Sequence, residues 1–432
     1  MIKNLLFYLI YTVLTVLIFL IDSYFGLLLA TFSYFLLFLL NYLKNKTIFN
    51  YLQFYLLACW ILTLSQIFNI YTFGNDFFYN EKLYFLYCII ITGIITFFFK
   101  VPDKNIYLFK TKFNKITFRN FYPTLVILFF ILIFTFDGSF GSVLQYFIKN
   151  LLYISPILIA SILYLNSKKK TLPLLIFVIT FYYYTSFTFN RTGFILVPII
   201  FFLTVLIDKK FEFKLKENSK NIFLSIIFFS ILLVIGDLYK TSQTRNLIDF
   251  ISELKFYDLY NYFELTRYKF GTESNIYDYF YIIQALTDDN RELGGNIFSQ
   301  FIGIFTPRYF FPDKVLTNIS ELNYVQGIVE NPLFFAAFIE STYNLGLIGV
   351  FIYHFIILLI GSVMLKSVSI VKSQFLFQLF INNYYFYIIY LYILIRGPGI
   401  HFASHFLICF IFMCYYLYRS KKTTYKINDK QK

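Results

Sequence analysis

LLFYLIYTVLTVLIFLI (Leu5–Ile21) runs through the start of the chain without a single charge. As a helix rising 1.5 Å per residue, a run of this kind is sized to cross the roughly 30 Å hydrocarbon core of a bilayer. No small-residue cleavage site follows it. It therefore reads as a first spanning helix and not as a removed signal. Comparable runs recur along all 432 residues, which are 59% apolar and 24% aromatic but only 14% charged. A soluble domain of this length does not have that balance. The expected fold class is all-α: a polytopic membrane protein.

The apolar runs predict about twelve spans, near residues 5–21, 25–43, 48–70, 83–99, 121–136, 150–165, 172–188, 192–207, 221–236, 344–365, 375–395 and 401–418. The loops between them are short, with one exception of about a hundred residues. The domain organisation expected is nine spans over 1–236, a large extracytoplasmic loop over 237–343, three spans over 344–418 and a basic tail over 419–432. Phe, Tyr, Ile, Asn and Lys dominate the composition. Codon bias in an AT-rich genome would account for much of that pattern, so little function is read into the aromatic excess. Cys59, Cys88, Cys409 and Cys414 all fall in apolar segments and suggest no disulfide framework.

Lysine and arginine set the orientation. KNK (44–46), the stretch 101–120, SKKK (167–170), the stretch 208–220 and the tail are basic, whereas the alternate loops around Asp22, Asp76 and Asp137 are not. Both termini are then cytoplasmic and the long loop lies outside. On this topology the inside carries 25 Lys and Arg against 5 Asp and Glu, and the outside 12 against 18. The net charge of +14 is thus a consequence of topology, and nucleic acid is rejected as a partner.

Arginine breaks that pattern. Of eight arginines only Arg119 and Arg419 fall inside, while Arg191, Arg245, Arg267, Arg291, Arg308 and Arg396 fall outside; lysine divides 23 in to 6 out. Arginine suits planar, bidentate contact with phosphate or carboxylate. The competing reading, that each is an ion-pair partner for the acidic loop, holds for any one arginine more easily than for six.

Inside the long loop, NLIDFISELKFYDLY (246–260) places Leu247, Phe250, Ile251 and Leu254 on one helical face, as an interfacial helix would. SNIYDYFYIIQAL (274–286) is a second candidate. NIFSQFIGIF (296–305) is too short to span and suits a re-entrant or interfacial helix. It leads straight into TPRYFFPDK (306–314), where two prolines break any helix and Arg308 and Lys314 would sit at headgroup depth. Arg191 lies in the tight turn FNRTGF, and Arg396 in IRGPGIH, where Gly-Pro-Gly ends a helix. Such a cationic set suits a lipid-linked phosphate or diphosphate, although Arg191 and Arg396 would also serve as snorkelling anchors. Arg245, Arg267 and His401 join Lys314 and Arg396 as substrate-binding candidates.

A carboxylate completes the set. Glu340, in NPLFFAAFIESTYNLGLIG (331–349), stands among apolar residues at the start of span ten. Partial desolvation there would suit a general base acting on a sugar hydroxyl; pairing with one of the arginines is the competing role. Asp237 is a weaker alternative. His401 and His405 in HFASH have a metal-ligand spacing but no carboxylate between them and no obvious third ligand, so a packed or substrate-facing pair is expected, with no metal and no cofactor.

Taken together these segments resemble the bacterial oligosaccharide repeat unit polymerases that build O-antigen or capsular polysaccharide. TPRYFFPDK is similar to a Pro-Arg…Pro-Lys segment in the family's large outer loop. FIESTYNLGLIG (338–349) is similar to its Glu…Tyr-Asn-x-Gly-x-x-Gly lead-in to the next span, and NRTGF (190–194) to its arginine turn between two central spans. The resemblance implies an enzyme of the cytoplasmic membrane that acts on polyprenyl-diphosphate-linked oligosaccharide. Arg191, Arg308 and Lys314 would contact diphosphate or glycan and Glu340 would be a site residue. A chain-length regulator and a flippase are the partners implied. The chain departs from the family's paired arginine-to-glycine spacing: Arg291 to Gly303 comes near but is off by one or two, which puts Arg291 in doubt.

Two other classes compete. A lipid-linked oligosaccharide flippase would have about as many spans, but also symmetric halves and little outside. An O-antigen ligase would place a histidine in the large loop, and residues 238–343 contain none.

Overall fold

The computed structural model describes residues 2–45, 50–73, 79–101, 170–187 and 345–371, together with single or paired helical positions between 160 and 418. About 94% of the described residues are helical and none is in a strand. Among the described residues six continuous helices are present: α1 (Ile2–Ile21), α2 (Ser23–Asn45), α3 (Tyr51–Phe73), α4 (Tyr79–Ile95), α5 (Thr171–Phe187) and α6 (Leu347–Ile370). Three of them, through the stretches Asn4–Ile21, Ser23–Lys44 and Leu347–Ile370, are long and apolar enough to cross a membrane. The expected spans near 150–165, 192–207, 221–236, 375–395 and 401–418 are represented by helical positions within each. The expected span 121–136 lies outside the described residues, as does the expected outer loop up to Phe338.

Polar side chains, and not apolar content, fix the helix ends. Asp22 is the single non-helical residue between α1 and α2. Its Oδ1 accepts from the backbone N–H of Tyr24 at 3.0 Å and of Phe25 at 3.1 Å, capping α2. Asn50 does the same for α3, accepting from Gln53 N–H at 2.9 Å. Helix α3 therefore starts at Tyr51, three residues later than the apolar run implies. Helix α4 starts at Tyr79, ahead of its apolar stretch, because Glu81 and Lys82 occupy its first turns. It ends in a 3₁₀ turn over Thr96–Phe98, and Phe99 is extended. Helix α6 outlasts the run that predicts it, since the criterion stops near Lys366 while the backbone continues to Ile370.

Helix α2 is central, packed on α1, α3 and α4, and α6 closes against α3 and α4. Helices α1 and α2 form an antiparallel hairpin. The Tyr11 hydroxyl donates to the Leu29 carbonyl at 2.7 Å, and Gly26 lies so close to the Phe19 backbone that a Cβ there has no room. Helices α3 and α6 also run antiparallel, with Tyr51 beside Gly361 and Tyr55 beside His354. A Cβ on Gly361 would come within 2.7 Å of the Tyr51 ring, so glycine sets how closely these two helices approach. Helices α4 and α6 run the same way. Tyr87 meets Leu347 near the start of α6, and Phe99, just past α4, meets Phe355 further along.

The core is unusual for its buried tyrosines, among them Tyr8, Tyr34, Tyr51, Tyr55, Tyr384 and Tyr387. A phenol buried among apolar side chains needs a partner for its hydroxyl. Tyr34 shares a hydrogen bond of 2.5 Å with Thr92, Tyr387 donates to the Ile357 carbonyl, and Tyr384 accepts from the Tyr51 N–H at 3.0 Å. Thr15, Thr63, Thr92 and Ser367 return their hydroxyls to carbonyls one turn back. Helix α1 is the least covered. Leu6, Ile10, Val13, Leu14 and Leu17 are each more than half exposed, a contiguous apolar stripe of the kind that faces lipid.

Candidate functional site

Arg191, Arg245, Arg267, Arg308, Lys314, Glu340, Arg396 and His401 all lie outside the described residues. The structure does not bring them together or separate them. It does describe the framework on either side of two of them.

The better defined is the segment around Glu340. Phe338 and Ser341, which flank it in sequence, are both fully buried, and the Ser341 hydroxyl donates to the Phe338 carbonyl at 2.9 Å. Gly346 stands immediately before α6 with φ 64° and ψ −160°. Only glycine adopts that conformation without strain, because any Cβ collides with its own backbone. The Gly349 N–H donates to the Gly346 carbonyl at 2.9 Å, and its Cα faces the Ser341 carbonyl with no space for a side chain. The two glycines of Tyr-Asn-x-Gly-x-x-Gly thus have separate physical duties. The first breaks the helix, and the second lets the chain ahead of the break pack onto the first turn of α6. At the other site, Leu394 and Ile395, which immediately precede Arg396, are helical and buried.

The structure adds a residue that the apolar pattern conceals. His354, eight residues into α6, is fully buried. Its Nδ1 shares a hydrogen bond of 2.8 Å with the Tyr55 hydroxyl on α3, and the Tyr55 ring meets the imidazole edge-on at 5.8 Å. The ring of Phe338 stacks on the other side, with centroids 4.8 Å apart and planes 22° apart. Nε2 has no hydrogen-bond partner among the described residues. An ionisable side chain inside a span is costly and faces the bundle interior, as this one does. The signal was in the sequence: one histidine within the apolar run that precedes Ser362 and Lys366 in α6.

A second polar feature joins α2 to α4. Lys82 is only 8% exposed, and its Nζ lies 3.7 Å from the centroid of the Tyr24 ring. The cation rests on the aromatic face two residues from the capping Asp22. Asp22, expected only as an outer-loop charge, has a structural duty at the hairpin. Among the described residues no group of three or more His, Cys, Asp or Glu is placed to hold a metal ion.

No protein-family profile, curated protein or solved structure matches the chain.

Proposed function

We propose that the chain polymerises polyprenyl-diphosphate-linked oligosaccharide repeat units into surface polysaccharide on the outer face of a bacterial cytoplasmic membrane. The observation that carries this reading is that six of eight arginines fall in the segments that the charge pattern assigns to the outside, while most lysines fall in those it assigns to the inside. The reaction is a glycosyl transfer. A hydroxyl oxygen at the sugar end of the new repeat unit bonds to the anomeric carbon of the growing glycan. The bond from that carbon to the diphosphate oxygen breaks, and polyprenyl diphosphate leaves. Arg191, Arg308 and Lys314 would hold the departing diphosphate, where negative charge develops in a poorly solvated site. Glu340 would take the hydroxyl proton. Arg396, Arg245, Arg267 and His401 would contact the rest of the lipid-linked substrates.

Two structural facts support the reading. Gly346 and Gly349 in FIESTYNLGLIG have backbone duties, at the break before α6 and against the Ser341 carbonyl, which gives this motif a structural role beside the Glu340 position. The parallel run of α4 and α6 also requires an odd number of crossings between them if both span the membrane. The sequence reading has five, within a total of twelve that leaves both termini cytoplasmic.

The test is deletion of the gene followed by a gel of the surface polysaccharide. Loss of a polymerase leaves products one repeat long. Loss of a flippase leaves none, and that outcome contradicts the proposal.

A further inference from the structure

We infer that His354 is a positioning residue for this reaction, its imidazole serving as the platform on which Phe338 holds the Glu340 segment; the inference rests on the polymerase reading. Three observations carry it. The imidazole plane is fixed from one side by Tyr55 through a hydrogen bond of 2.8 Å, and that tyrosine is itself fully buried. Phe338 stacks on the imidazole nearly face to face, at 4.8 Å and 22°, in contrast to the edge-on contact of Tyr55. Ser341 is pinned to α6 by the close approach of its carbonyl to Gly349. In the chain, Glu340 comes two residues after Phe338 and one before Ser341, so both of its fixed neighbours bear on α6.

The choice of residue argues for more than packing. A leucine at 354 would fill this apolar space without a nitrogen that lacks a partner among the described residues. Burying a polar group and leaving one side of it unmatched is destabilising, and such groups are found where their geometry is used. What histidine offers over leucine is a flat face locked at one angle. Catalytic groups need that kind of support, since a displacement of about 1 Å costs on the order of a hundredfold in rate.

The test uses the full chain in proteoliposomes supplied with a lipid-linked repeat unit, reading both the rate of polymer formation and the melting temperature. His354→Leu removes the platform and orphans the Tyr55 hydroxyl; it is expected to lower the melting temperature modestly and the rate of the folded protein on the order of a hundredfold, more than Tyr55→Phe, which breaks the same hydrogen bond but keeps the imidazole face. The pair His354→Phe with Tyr55→Phe restores a flat ring without orphaning the phenol, and is expected to restore the rate. In a Glu340→Gln background His354→Leu is expected to lower the residual rate no further, because the two changes disable one device. Phe338→Leu removes the opposite ring and is expected to repeat the His354→Leu result, which keeps the test open should that variant fail to fold.

A wild-type rate in His354→Leu overturns the inference. So does a Phe pair as inactive as His354→Leu, which would mark the imidazole nitrogen as a direct participant. Losses that multiply with Glu340→Gln also overturn it. A wild-type chain that forms no polymer overturns the polymerase reading and this inference with it. A wild-type chain that polymerises beside an equally active His354→Leu overturns the inference alone.

Discussion

The Tyr55 hydroxyl and Nδ1 of His354 lie 2.8 Å apart, though 299 residues separate them in the chain. The bond ties α3 to α6 in the buried core. Tyr55→Phe leaves a second imidazole nitrogen with no partner among the described residues and is expected to destabilise the protein by ~1–3 kcal/mol. Replacing both partners, with Tyr55→Phe and His354→Phe together, is expected to recover most of that loss. Thermal unfolding in detergent of the single and double variants checks both values.

Gly346 is the second pressure point. At φ 64° and ψ −160°, an alanine is strained whatever space surrounds it. Gly346→Ala is expected to cost ~1–3 kcal/mol. Gly349→Ala acts differently, by driving a methyl group into the Ser341 carbonyl and displacing the chain just ahead of α6. Both are expected to reduce polymer length along with stability, as read from melting temperature and a polysaccharide gel. Unchanged values in both variants would count against a built turn here.

The arginines give a prediction that separates function from folding. Arg308→Ala and Arg191→Ala are each expected to abolish long-chain polymer while leaving single-repeat glycan and protein level intact. A complementation gel with quantitative blotting reads all three quantities. Normal chain-length ladders in both variants would remove the arginines from the site.

Topology is testable without any activity. Single cysteines placed at positions within 237–343 are expected to react with a membrane-impermeant maleimide on intact spheroplasts. Cysteines in the 208–220 loop are expected to react only after permeabilisation. The reverse pattern would invert the positive-inside reading and move the candidate arginines to the wrong face.

Much of the helical architecture was legible from apolar runs, because a helix in lipid must satisfy its own backbone and so announces itself by length and composition. The ends were less legible. They depend on one side-chain oxygen, at Asp22 and Asn50, or one backbone angle, at Gly346, and a hydropathy window averages these away. Helix pairing was not legible at all, since contacts such as Tyr51 with Gly361 or Tyr55 with His354 join parts of the chain that no local pattern links. The candidate site rests on charge type and placement, with Arg308, Lys314 and Glu340 marked by being polar in apolar surroundings, and all three lie outside the described residues. His354 is not singled out by sequence, because the same helix also carries Ser362, Lys366, Ser367 and Ser369; its setting shows only through Phe338 and Tyr55.

Reconstitution tests the central claim most directly. The purified chain, alone in proteoliposomes with a polyprenyl-diphosphate-linked repeat unit, is expected to produce a ladder of lengthening glycan and to release polyprenyl diphosphate. Movement of the intact lipid-linked unit between leaflets, with no ladder and no released diphosphate, would contradict the account.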